Sequence, residues 1–261
     1  MTNMKVIHLL CAVAAVMASA ACSAGKGDNT TTAGTTDGTP VKTVAVKPPK
    51  NGDWTTVVSA TPAGGFLMGN PNAKVQLIEY GSMTCPHCRE FDETGVGPLI
   101  DNYVKSGQVG YEFRNFVRDA FDLSASLIAR CNGANSFFPL TRALYKDQLS
   151  WVGKIQTAPR DQIEGLQNLG PEQQFLSVAK IAGFPQWAAV RGVPEAKSNK
   201  CLTNTAEVDR LVQMTSDATT QYPDFPGTPT FIINGKMVEL GPVTAAQVWP
   251  TLESKLKDAL R

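Results

Sequence analysis

Four consecutive residues, Cys85-Pro86-His87-Cys88, constrain this chain more than any other feature of its 261 residues. They follow an apolar run, Lys74 to Tyr80, that reads as a strand bounded by Asn70-Pro71-Asn72 and Gly81-Ser82. They also open a segment through Arg89, Glu90, Phe91 and Asp92 that reads as a helix until Gly95, Gly97 and Pro98 kink or break it. Two cysteines at a helix start are placed so that the first projects toward solvent beside unpaired backbone N–H groups. Those donors and the helix dipole stabilise a thiolate.

Thiol pKa values in such motifs run from about 7 down to about 3.5, against about 8.5 for an ordinary cysteine. His87, between the two, can add a positive or donating imidazole near Cys85. A lower thiolate pKa stabilises the reduced form and makes the disulfide a stronger oxidant. The motif therefore leans toward giving disulfides away.

The rest of the chain supplies a scaffold for that chemistry. Val109 to Phe116 is a second strand, completing a βαβ unit in residues 54–118. Over residues 119–220 the apolar spacing becomes helical, with Leu123, Leu127 and Ile128, then Leu140, Leu144 and Leu149, then Phe175, Val178 and Ala182, then Val208, Leu211 and Val212. In residues 221–261 strands return at Thr230–Ile233 and Lys236–Glu239, joined by the hairpin signal Asn234-Gly235, and Thr244 to Leu260 reads as an amphipathic helix. These βαβ and ββα halves make an α/β thioredoxin fold with an inserted α-helical domain.

The segment Glu79-Tyr80-Gly81-Ser82-Met83-Thr84-Cys85-Pro86-His87-Cys88 resembles the active site of the DsbA family of bacterial envelope oxidoreductases. The resemblance implies that Cys85 attacks or is attacked by substrate and that Cys88 resolves the mixed disulfide. Phe225-Pro226-Gly227-Thr228-Pro229-Thr230-Phe231 resembles the family's cis-proline loop. A cis Thr228-Pro229 bond would turn the Thr228 backbone toward the cysteines, where it could pair with an extended substrate. Thr228 departs from the Val common in family oxidases and is familiar among isomerases and reductases. Glu79 shares strand parity with Val75 and Leu77, so it points into the interior, where burial raises a carboxyl pKa and suits it to exchange protons with Cys88. The alternative for Glu79 is a salt-bridged or edge glutamate.

The other cysteines sort by position. Cys131 and Cys201 lie at opposite ends of the insert and are expected to form a structural disulfide, the alternative being two buried free thiols. Cys11 falls in an apolar stretch, Val6 to Ala18, that follows Lys5 and reads as an export signal too short to span a bilayer. Residues 1–22 end in two overlapping processing patterns. Ala18-Ser19-Ala20 fits a cleavage site, whereas Ser19-Ala20-Ala21-Cys22 resembles a lipobox that would lipidate Cys22 and tether the protein to a membrane. Residues 23–53, rich in Thr, Gly, Lys and Pro, read as a flexible tether.

The chain is thus expected in the periplasm or cell envelope as a monomer. Its expected partners are reduced or misoxidised exported proteins and a membrane protein that resets the cysteines. A formal charge of +1, from 24 Lys+Arg against 23 Asp+Glu, argues against nucleic acid. No cofactor is implied. A metal at the two thiolates and His87 lacks the further ligands that structural zinc takes, and a non-catalytic thioredoxin-like module usually loses one cysteine. Isomerase or reductase activity is the main alternative to donating disulfides.

Overall fold

The computed structural model describes residues 47–261. The export segment, Cys11, Cys22 and the tether up to residue 46 lie outside the described residues. Order is established by Trp54, a buried residue in a single 3-10 turn whose start is capped by the Asp53 side chain. Six strands form one mixed sheet: β1 (Val58–Ala60), β2 (Phe66–Gly69), β3 (Val75–Gly81), β4 (Val109–Asn115), β5 (Thr230–Ile233) and β6 (Lys236–Met237). Their spatial order is β1-β2-β4-β3-β5-β6, with only β3 and β4 parallel.

Strand β3 lies between β4 and β5, pairing Leu77 with both Tyr111 and Ile233. Both edges of this strand are thus paired, and with Gln76 and Ile78 half-buried on one face and Val75 and Leu77 buried on the other, neither face lies open to water. Val75, Leu77 and Glu79 are all buried, so one face of this central strand brings a carboxyl group into the core. The hairpin β1–β2 extends the sheet beyond β4 and adds two strands to those the sequence announced.

After β3, helix α1 (Pro86–Phe91) is followed without interruption by a π turn (Asp92–Val96), a short α2 (Gly97–Leu99) and a second π turn (Ile100–Val104). The expected break at Gly95, Gly97 and Pro98 is instead absorbed by these wider turns, which place one extra residue within a helix. Gly95 is required for packing: a Cβ there would fall 2.4 Å from the Phe91 ring.

The insert contains α3 (Ala120–Arg130), α4 (Ala134–Lys146), α5 (Gln148–Gln156), α6 (Arg160–Gly165), α7 (Pro171–Ala182), α8 (Phe184–Ala189), α9 (Glu195–Leu202) and α10 (Thr205–Gln221). Most of its periodic apolar residues are buried, but Leu149 and Val212 are 69% and 53% exposed and leave the core stripe. The insert shares one continuous core with the sheet. Phe137 of α4 stacks on Phe66 of β2 at 4.3 Å and meets Phe113 of β4 at 5.6 Å between ring centres.

Asn234 and Gly235 both take positive φ, 49° and 82°, as a two-residue hairpin between β5 and β6 requires. The last helix, α11 (Ala245–Leu260), begins with a reciprocal capping pair between Thr244 and Gln247 and buries Leu252 and Leu256. No described helix is long and apolar enough to cross a membrane.

Candidate active site

Cys85 is the N-cap of α1 and Pro86 its first residue, where a missing N–H removes no helical hydrogen bond. Cys85 and Cys88 are free thiols, 3% and 0% exposed. The expected projection of Cys85 into solvent is therefore corrected. Its Sγ is covered, and as a thiol it donates to the Thr228 carbonyl at 3.1 Å.

The pair is electrostatically uneven. Cys85 is held down at about 5 chiefly by the hydrogen bond from Cys88, with help from Thr228 and the backbone N–H groups of Cys88 and His87. Cys88 is pushed well above the usual thiol range, first by burial and then by Cys85 and Glu79. The His87 imidazole is 70% exposed, and its Nδ1 lies 3.0 Å from Glu90 Oε2. His87 thus meets Cys85 through its backbone, while its ring faces a carboxylate.

Behind the pair, Glu79 is 1% exposed and accepts a hydrogen bond from the Tyr111 hydroxyl. Burial raises its pKa to about 8 against the opposing effect of that hydrogen bond. No salt bridge involves Glu79 among the described residues. Thr228-Pro229 is a cis peptide. Beside it runs a groove of about 670 Å³ bounded by His87, Pro229, Phe231, Leu240 and Val248.

The insert grips the loop before the cysteines with side chains that sequence reasoning missed. Asp122 of α3 accepts from Ser82 Oγ at 2.5 Å and from the Met83 N–H at 2.8 Å. Gln148 Nε2, at the start of α5, donates to the carbonyls of Met83 and Cys85 at 2.7 and 2.9 Å. The Tyr145 hydroxyl donates to the Ser82 carbonyl at 3.1 Å, and Arg118 donates to Thr84 Oγ1 at 2.7 Å. Each contact joins positions more than thirty residues apart, so no local pattern announces it.

Within the insert Cys131, at the end of α3, is bridged to Cys201 of α9 with Cα atoms 5.6 Å apart. The expected disulfide is present, and the free-thiol alternative is set aside.

The family described as Thioredoxin matches residues 61–253. Among solved structures, a protein-disulfide isomerase from Novosphingobium aromaticivorans is similar with a TM-score of 0.68 and 33% identity, covering 73% of this chain and 96% of that one. Wolbachia pipientis α-DsbA1 is similar in fold, with a TM-score of 0.56 and 19% identity over 77% of this chain and 93% of its own. A Rickettsia bellii protein named "Putative protein-disulfide oxidoreductase" is 29% identical over 175 residues, 67% of this chain and 58% of that protein. This chain therefore spans a little over half the length of such curated relatives. By the family match and the shared architecture, the chain belongs to the thioredoxin family and carries its DsbA-type fold, with a helical domain inserted between the two halves.

Proposed function

We propose that this protein is a thiol:disulfide oxidoreductase of the bacterial envelope that donates the Cys85–Cys88 disulfide to exported proteins. The observation that carries this reading is the unevenness of the pair: a thiol held near 5 at a helix start and a sealed partner pushed the other way. Only the first is poised as a nucleophile or a leaving group near neutral pH. In the donating direction, a substrate thiolate attacks Cys85 Sγ, the Cys85–Cys88 bond breaks, and Cys88 leaves with the electron pair. Glu79 gives Cys88 a proton, because burial keeps that carboxyl protonated near neutral pH. A second substrate thiolate then attacks the substrate sulfur of the mixed disulfide and releases the Cys85 thiolate.

The Thr228 backbone, with Pro229 and the groove beside them, is the proposed edge for an extended substrate. Its clients would be reduced exported proteins, and a membrane redox partner would restore the disulfide. Residues 1–22 would act as the export signal and Cys22 as a lipid anchor, with 23–53 as the spacer.

Thr228 and the isomerase name of the Novosphingobium structure favour a second reading, in which the same site isomerises or reduces disulfides. Two measurements separate these. Oxidised protein should introduce disulfides into a reduced, unfolded substrate. Its equilibrium with glutathione should correspond to a potential nearer about −120 mV than about −270 mV. Failure to oxidise substrate, together with reduction of disulfides when electrons are supplied, would reverse the direction.

A further inference from the structure

Glu79 has no direct route to solvent, yet each half-cycle changes its protonation. When Cys88 leaves as a thiolate, it takes the Glu79 proton. When Cys88 later attacks the sulfur of Cys85 in a mixed disulfide, it returns a proton to Glu79, the Cys85–Cys88 bond forms, and the partner departs as a thiolate. Near neutral pH burial keeps Glu79 protonated while both thiols are free as well, so the carboxylate left by the first event takes up a proton from solvent and must lose it again before the second, through a group that is 1% exposed.

A small cavity lies against Glu79 and shares no lining residue with the groove beside Pro229. It is lined by Glu79, Asp92, Tyr111, Thr141 and Arg142, and has about 10 Å³ accessible to the centre of a water molecule. That is room for about one water. The Thr141 hydroxyl, on a residue 2% exposed, has no hydrogen-bond partner among the described residues. Asp92 belongs to the first π turn and is 7% exposed. Its Oδ1 lies 3.4 Å from Arg142 Nε, and the Arg142 side chain is 43% exposed. From Glu79 outward, the polar groups are therefore the Tyr111 and Thr141 hydroxyls, the Asp92 carboxyl and a guanidinium at the surface.

Resting on the proposed redox role of Cys85 and Cys88, we propose that Asp92 is the solvent-side proton-relay residue for Glu79. One water against Thr141 bridges the two carboxyls, and Arg142 positions Asp92. Burial brings the Asp92 carboxyl up to about 6 in spite of Arg142, so it can both accept and release a proton near neutral pH. The other groups facing this cluster do not suit the task. Tyr111 and Tyr145 are raised well above their ordinary value by burial, and Cys88 is the group being served. Asp122 is engaged by Ser82 and Met83, Glu93 pairs with Arg89, and on α11 Glu253 pairs with Lys257 and Tyr103. The insert, through α4, thereby contributes the outer end of a path whose inner end lies in the sheet.

The test is the rate at which oxidised glutathione converts the reduced full-length protein to the Cys85–Cys88 disulfide, from about pH 5 to about pH 9, in water and in deuterium oxide. Asp92→Asn is expected to slow closure of the disulfide by about tenfold or more, remove the inflection near 6 from the pH profile and enlarge the solvent isotope effect. Asp92→Glu should restore the profile. The equilibrium constant with glutathione should change less than about twofold, because a relay alters rate rather than end states. Thr141→Val, nearly isosteric, should slow closure in the same sense and carries the test if Asp92→Asn does not fold. The inference is overturned if Thr141→Val and Asp92→Asn keep the wild-type rate and profile while Glu79→Gln slows closure. Wild-type protein that exchanges no disulfides would instead overturn the functional reading, and this inference with it.

Discussion

The two cysteine pairs of the described structure are separated by three and by seventy positions, and they are built for opposite ends. Cys131 and Cys201 join two helices of the insert and close a long stretch of chain. Their contribution is to the unfolded state, whose freedom they reduce. Cys85 and Cys88 close almost nothing. Their surroundings separate the acidities of two neighbouring thiols, through hydrogen bonds from Cys88, the Thr228 side chain and the backbone N–H groups of Cys88 and His87 on one side, and burial beside Cys85 and Glu79 on the other. Whether a cysteine pair stabilises or reacts is thus set by what the backbone and the interior place around it.

The largest effect should come from Cys85→Ser, which abolishes disulfide transfer to a reduced substrate. Cys88→Ser should accumulate mixed disulfides visible on non-reducing gels. Transfer at the wild-type rate by Cys85→Ser would erase the distinction between the pairs. Replacing Cys131 and Cys201 together with Ser should lower the unfolding free energy by about 4 kcal/mol, measured by denaturant melts. It should leave the thiolate absorbance of Cys85 titrating near pH 5. A displaced titration would show the two pairs to be coupled.

Glu79→Gln sharpens the contrast further. The Glu79 pKa is raised on folding from about 4.5 to about 8, so its favourable contribution is complete below the lower value and is lost as pH rises through the upper one. The variant should match wild type at acid pH and become more stable than it by about 1 kcal/mol or more at pH 8. Equal stability differences at both pH values would show that Glu79 is not buried as a neutral acid. Gln148→Ala should have a smaller effect, about 1 kcal/mol, by freeing the Met83 and Cys85 carbonyls. It should also broaden the Cys85 thiolate titration; a sharp, unmoved curve would mean the insert does not hold the loop in register.

What the sequence made legible follows the range of the forces involved. Strand β3, the start of α1 and the Asn234-Gly235 turn are specified within a few residues, by alternation, by Pro86 and by the need for positive φ. The burial of Glu79 followed from parity along one strand. The cis peptide at Pro229 was expected from resemblance alone, since no local chemistry demands it. The β1–β2 hairpin escaped because strands of three and four residues around Pro62, Gly64 and Gly65 are too short to show a period. The π turns after α1 escaped as well, since a widened helix has no distinct sequence signature. Asp92, Asp122, Arg142 and Gln148 could not be assigned because each acts across the boundary between insert and sheet.

The two outermost strands, β1 with three residues and β6 with two, bear on a hazard that the proposed function would bring, the handling of unfolded chains. Such chains carry unpaired amides and carbonyls that add readily to any long exposed strand, and the same sheet could template their aggregation. By tapering at both margins, this sheet leaves little backbone on which a client could nucleate. The proposed substrate edge beside Thr228 would then be free to engage an extended segment briefly and release it.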